Sequence, residues 1–204
     1  MEAPKFNNKP NQHIRYHYTD GCGLTINQDF FIGRSTAVVG VVFAFTNVGM
    51  QILITRRSNT MRDEANKYGI PCGYLDFNES RQEAMIREVY EETSMYLPEY
   101  DKYLLFNNDG EPFKIKDKPS EDKRQNISHI YLSVFDFSKD MDKFPVDIEK
   151  FTCKETALVE WVKLEDFYAT YQDHSWAFNH DETIKAAVIF HNKTFFENIR
   201  RDSK

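Results

Sequence analysis

No stretch of the 204-residue chain is long and apolar enough to cross a bilayer. The longest apolar run, Ala37 to Phe45 with Gly40 counted in, is nine residues, whereas a spanning helix needs about 20. The N-terminal segment MEAPKFNNKPNQHIRYHY lacks the apolar centre of a secretory leader, so export is not expected. Cysteine is scarce. Cys22, Cys72 and Cys153 are odd in number and far apart, which gives neither a disulfide framework nor a zinc pattern and points to a reducing cytoplasm. Positive charge is in deficit: 26 Lys and Arg against 32 Asp and Glu leave a net charge of −6. That balance argues against a stable, sequence-independent grip on nucleic acid or on an anionic membrane. A phosphate-bearing ligand would then need a local positive site or a metal. Repeats and low-complexity tracts are also missing, which excludes a solenoid.

Aromatic residues are plentiful, with 17 Phe and 11 Tyr, and supply the bulk for a real core. The length suits one domain. Residues 1–33 read as an N-terminal extension without periodicity, punctuated by Pro4, Pro10, Asn7, Asn8, Asn11 and the turn Gly21-Cys22-Gly23. Residues 34–204 read as the domain. STAVVGVVFAF, the turn Thr46-Asn47-Val48-Gly49 and MQILIT predict a buried β-hairpin. Arg56 to Tyr68 reads as a charged loop, Ser80 to about Tyr96 as a helix stopped by Pro98, and Tyr103–Phe106 and Phe113–Ile115 as short strands. Ile127–Phe135 and Ala157–Val162 read as strands, Leu164–Tyr171 as a short helix, and Glu182 to about Arg200 as a C-terminal helix. Interleaved strands and helices of this kind define a mixed α/β domain.

The chemistry concentrates in PCGYLDFNES followed by RQEAMIREVYEETSMYL. Ser80 and Glu83 have the spacing of a capping box, so a helix starts here for a local reason. At about 100° per residue, Glu91 lies roughly 60° to one side of Glu88 and Glu92 roughly 40° to the other, placing three carboxylates on one face. Met85, Ile86, Val89 and Thr93 fall on an adjacent arc that can dock on a sheet. Like charges this close cost roughly 0.2–0.5 kcal/mol per pair on an isolated helix. A hard divalent cation offsets that repulsion, because Mg²⁺ prefers carboxylate oxygens and keeps positions for water and phosphate. Glu79 sits at the start of the same helix, as a fourth carboxylate or a base.

Gly73, Glu79, Arg87-Glu88-Val89 and Glu91-Glu92, at these spacings, resemble the Nudix box of hydrolases that cleave nucleoside diphosphates linked to another moiety. The box covers 23 of 204 residues, and the surrounding strands extend the likeness over Ser35 to Tyr171. The resemblance implies a Nudix-type α/β/α sandwich with a mixed β-sheet and a loop-helix-loop metal site. It implies Mg²⁺ or Mn²⁺ held by Glu88, Glu91 and Glu92, with Glu79 as an additional ligand, and Arg87 orienting the glutamates by salt bridges. The implied reaction is attack of a metal-activated water on a diphosphate bond, with ADP-ribose-like or sugar-nucleotide substrates ahead of dinucleoside polyphosphates and nucleoside triphosphates. Because many members are dimers, it also implies a homodimer, with the first thirty residues as an arm or a lid. The alternative is a non-catalytic Nudix-like nucleotide sensor or protein-binding module, motivated by Ser94, which stands where the family pattern has glycine. A serine there costs on the order of 1 kcal/mol if it adopts positive φ, or lets the helix run on to Leu97; altered local geometry with retained metal binding is the expectation.

Other residues carry two readings each. Arg56, Arg57 and Arg62 are phosphate contacts or surface charge. His180 touches a substrate base or phosphate, or the segment serves only to cap a helix through Asp181. Glu121 and Asp122 are a mobile base or solvated loop charges. Tyr74, Phe77 and Trp176 are base-stacking surfaces or core. Cys72 reads as a packed small residue, since no histidine is near it in sequence.

Overall fold

The computed structural model describes residues 12–118, 126–171 and 174–202. Glu121 and Asp122 lie outside these residues.

The segment read as an irregular extension contains a β-hairpin, β1 (Gln12–Thr19) paired antiparallel with β2 (Thr25–Ile32). Its turn is closed by Asp20, whose carboxylate accepts the backbone N–H groups of Cys22 and Leu24 at 2.9 Å each. Gly23 takes φ +81° there. The proline- and asparagine-rich residues precede the ladder rather than interrupt it, so the turn was readable and the strands beside it were not.

β3 (Thr36–Thr46) and β4 (Gly49–Arg57) form the expected hairpin. Thr46 organises its turn, donating its hydroxyl to the Gly49 carbonyl at 2.8 Å. Alternation along β3 sends Val38, Val42 and Ala44 into one core and Val39, Val41 and Phe43 into the other, as the two-residue period of a strand requires. β4 runs through Arg57, into the stretch read as loop, and is followed by two short strands that the sequence reading did not contain, β5 (Tyr68–Gly69) and β6 (Cys72–Tyr74). Segments of two and three residues show no hydrophobic period, so they depend on their neighbours for pairing.

The first long helix, α1 (Arg81–Thr93), follows, then β7 (Leu104–Phe106), β8 (Lys114–Lys116), β9 (Ile127–Asp136) and β10 (Thr156–Lys163). The chain ends with α2 (Leu164–Ala169) and α3 (His180–Asp202). Strands β3 to β10 make one mixed sheet in the order β10-β4-β3-β9-β7; β5 pairs with β4, β6 with β3 and β8 with β9. The β3–β9 pair is parallel and the others are antiparallel.

One face packs under α1 through Ala84, Met85 and Val89, with Phe135, Phe137 and Trp161 filling the layer. The opposite face packs under α3 through Ile184, Ala187 and Val188. This is the α/β/α sandwich. Gly40 sets the spacing of one layer: a Cβ there would stand 2.7 Å from Val89 Cγ2, so α1 lies against the β3 backbone because residue 40 has no side chain.

Candidate active site

The loop after β6 feeds directly into α1. Ser80 caps the helix, its hydroxyl accepting the Glu83 N–H at 3.2 Å while the Glu83 carboxylate accepts the Ser80 N–H at 2.7 Å. Capping fixes where the first turn begins and hence which side chains face the loop. The helix stops at Ser94, which takes φ 63°, ψ 8°. It does not run on to Leu97, and the expected alteration of local geometry is absent: serine adopts the left-handed backbone a glycine would supply. The Ser94 N–H bonds back to the Tyr90 carbonyl at 2.7 Å.

Arg87 lies at the centre of the carboxylates. Its guanidinium holds Glu79 through two hydrogen bonds (2.7 and 3.0 Å), Glu88 through one (2.8 Å) and Glu91 through one (2.9 Å), and donates to the Tyr74 carbonyl at 3.0 Å. Five N–H groups in a rigid plane suit this task in a way that an ammonium does not. Glu79 also accepts the Asp76 N–H at 2.7 Å, and the Arg87 bonds hold its carboxyl below the usual carboxylate range.

Glu88 and Glu92 differ from their neighbours because they are inside. Burial pushes the Glu88 carboxyl up, against the pull of Arg87. Glu92 is 6% exposed, and its pKa is pushed up to about 8 by burial and by the Glu88 charge, opposed by Arg57 and the Cys72 N–H. Its Oε1 is buried without a hydrogen-bond partner. Gly73 faces this pair: a Cβ at position 73 would overlap the Glu88 carboxylate. The glycine is therefore required by what lies against it. The Cys72 thiol is buried, and burial together with Glu92 raises its pKa, so it is a neutral packing group.

Among the described residues, no three His, Cys, Asp or Glu side chains already converge as a closed metal centre; Arg87 occupies the middle of the cluster. The donor set still fits a hard divalent cation. Glu92 offers an orphaned carboxylate oxygen, and Glu88 rests in the space that Gly73 leaves free. All the donors are carboxylate oxygens.

The structure brings Arg57 to this centre and leaves Arg56 aside. Adjacent strand residues project to opposite faces; Arg56 is exposed, whereas the Arg57 charge acts on Glu92, Cys72 and His180. Arg57 donates Nε and Nη2 to the Asp63 carbonyl at 3.3 and 3.2 Å. His180 is a correction to the sequence reading. It is 4% exposed, its Nδ1 accepts the Ile70 N–H at 3.1 Å, and burial, then Lys116 and Arg57, depresses its pKa to about 3. It is a neutral bracket between α3 and the β5–β6 connection, with no surface left for substrate. Trp176 is likewise buried, donating its indole N–H to the Tyr171 carbonyl at 2.7 Å, while Phe77 is 98% exposed on the loop before α1.

One carboxylate was missed. Glu155 stands just before β10, exposed, with its carbonyl accepting the Ser58 N–H at 2.7 Å. Its charge acts on Glu88, Glu92 and Cys72. No local motif marks it; only the pairing of β10 with β4, which sets Thr156 opposite Arg57, carries it to the site.

Residues 34–187 match the NUDIX domain family model, so the chain belongs to the NUDIX family. No curated protein matches it. Among solved structures, the NUDIX domain of Shewanella oneidensis NrtR complexed with ADP ribose is 20% identical, with 77% of this chain and 88% of that chain covered and a TM-score of 0.52. The same organism's NrtR complexed with a 27mer DNA is 21% identical, with 74% and 59% covered and a TM-score of 0.54. A bifunctional NMN adenylyltransferase/ADP ribose pyrophosphatase from Francisella tularensis, complexed with AMP and Mn ion, is 18% identical, with 76% and 41% covered and a TM-score of 0.51. At these identities the likeness is one of fold.

Proposed function

We propose that the protein is a metal-dependent pyrophosphohydrolase that cleaves the diphosphate of a nucleoside diphosphate derivative, with ADP-ribose-like and sugar-nucleotide substrates foremost. The observation that carries this reading is the Arg87-centred web of Glu79, Glu88 and Glu91 beside the buried Glu92, whose Oε1 lacks a partner. Glu88, Glu91 and Glu92 would hold Mg²⁺ or Mn²⁺, with Glu79 as an additional ligand. Such an ion, when bound, would supply neutralisation of diphosphate charge, polarisation of a phosphoryl oxygen and a lowered pKa for the attacking water.

The chain's own residues prepare that step. Arg87 ties the loop carbonyl of Tyr74 and Glu79 to two helix carboxylates, so loop and helix present one surface. Glu79, kept ionised by Arg87, stays available as a carboxylate ligand. Burial raises the pKa of the Glu92 carboxyl, and a cation held there would displace its proton and offset the cost of the buried charge. Arg57 supplies positive charge on the sheet side of the centre, where a chain of net charge −6 needs it to receive a diphosphate. The complexes with ADP ribose and with AMP and Mn ion belong to similar proteins and support the substrate class by analogy of fold.

The test is phosphate release, coupled to a phosphatase, across ADP-ribose, NADH, diadenosine polyphosphates, sugar nucleotides, coenzyme A and nucleoside triphosphates. Each is assayed with Mg²⁺, with Mn²⁺ and with chelator. A preferred substrate whose turnover disappears with chelator is the expected result. Nucleotide binding that ignores metal, with no turnover across the panel, would replace the enzyme by the sensor reading.

A further inference from the structure

The connection between α2 and α3 holds two consecutive residues in left-handed backbone. Phe178 takes φ 54°, ψ 25° and Asn179 takes φ 55°, and left-handed backbone is rare for a bulky residue. Strain of this kind persists only where the surroundings over-determine it, and it concentrates at ligand clamps. Here the surroundings do. His180, the next residue, accepts the Ile70 N–H. The Thr183 hydroxyl donates to the Asn179 carbonyl at 3.3 Å, and Lys116 Nζ donates to that hydroxyl at 2.8 Å. The Arg57 guanidinium stands over the Phe178 ring, 5.2 Å from its centroid.

Apolar burial is not what this arrangement achieves. The Phe178 residue remains 41% exposed, whereas the neighbouring Trp176 and Ala177 are buried. The His180 ring, edge-on with its centroid at 5.6 Å, and Arg57 cover part of it, and the rest is open. His180, whose ring lies beside Phe178, accepts the Ile70 N–H three residues before Gly73, and Gly73 lies against the Glu88 carboxylate, so the open ring stands beside the segment that faces the carboxylate centre.

We propose that Phe178, backed by Arg57, is the stacking platform for the purine base of the nucleotide whose diphosphate is presented to the Glu88–Glu92 centre. The inference rests on the reading of that centre as a nucleotide-diphosphate site. A guanidinium behind one face of a phenyl ring polarises it, and a planar base on the open side gains by stacking without any hydrogen-bond code. A purine, with the larger ring system, gains more than a pyrimidine. Arg57 from β4 backs the ring and Thr183 from α3 holds the Asn179 backbone beside it before ligand arrives, which lowers the entropic cost of binding.

The experiment compares AMP, CMP and ribose 5-phosphate by titration calorimetry on the full-length protein, wild type and Phe178→Leu; leucine keeps an apolar side chain and loses the π face. The wild type is expected to bind AMP at least about tenfold more tightly than ribose 5-phosphate, with CMP between them. Phe178→Leu brings AMP to within about threefold of ribose 5-phosphate and leaves ribose 5-phosphate unchanged. Phe178→Gly, which is free of the backbone strain, is the second variant and should behave as leucine does. Phe178→Tyr should keep the preference for AMP. Equal affinities of the wild type for AMP and ribose 5-phosphate, including no measurable binding of either, would overturn the platform, as would equal losses for both ligands in the leucine and glycine variants. Calorimetry needs no turnover, so an inactive protein that still prefers AMP through Phe178 would remove the hydrolase and keep the platform. An active enzyme indifferent to residue 178 would do the reverse.

Discussion

Ser94 and His180 show how much a single residue's backbone or protonation state decides. Ser94 holds a left-handed φ of 63°, a conformation that costs a residue with a Cβ on the order of 1 kcal/mol relative to glycine. Ser94→Gly is therefore expected to stabilise the protein by about 0.5–1 kcal/mol, after allowing for glycine's greater freedom when unfolded. Thermal unfolding reads this as an upward shift of a few degrees, with hydrolysis within twofold of wild type; a lower melting temperature would contradict it. His180 sets an acid limit. Its pKa of about 3 in the fold lies below the ordinary 6.5, so the unfolded chain binds the extra proton between those values. The stability it contributes is complete above about 6.5 and is lost as pH falls toward 3, by up to about 1.4 kcal/mol per pH unit. Urea unfolding at pH 7 and pH 5 should show this loss in the wild type and a smaller one in His180→Gln; equal losses would remove His180 as its source.

At the scale of elements, the site is a loop pressed against a helix. α1 was legible because Ser80 and Glu83 announce its start and its apolar and acidic residues separate by angle. The clustering of Glu88, Glu91 and Glu92 on one face followed from the same geometry. What spacing alone did not contain is the reach of Arg87 back across eight residues to Glu79 and to the Tyr74 carbonyl, because that depends on how the loop folds over the helix. The short strands β5 and β6 were hidden for a related reason: they exist through pairing with β4 and β3. Gly73 joins the two elements. Since its Cβ would overlap the Glu88 carboxylate, Gly73→Ala should leave the fold in place and displace Glu88. The expected outcome is at least about a tenfold loss of metal-dependent hydrolysis, as for disturbed support of a metal site, with circular dichroism unchanged. Full activity in this variant would contradict the packing of Glu88 described above.

Across the whole molecule, the sheet assembles what the sequence scatters. The hairpin β3–β4, the helices on both faces and the box were legible in hydrophobic period and spacing. Glu155 and the placement of Arg57 were not, since both depend on β10 lying beside β4 and on α3 closing over the end of β4 and β5. His180, with a side chain that so often contacts ligands, turned out to be buried because its helix covers the sheet rather than the cleft. The overall negative charge leaves Arg57 and Arg87 as the cations beside a centre of four glutamates and Glu155. The proposed divalent metal would be a third, exchangeable cation there. The most direct measurement is the initial rate of Mg²⁺-dependent hydrolysis of the preferred substrate by Glu92→Gln beside wild type, with thermal unfolding of both. Glutamine keeps the shape and cannot give up a proton to become a carboxylate ligand, so the rate should fall by more than about 100-fold while the melting temperature holds or rises. A folded Glu92→Gln protein that turns over within about threefold of wild type would contradict the account.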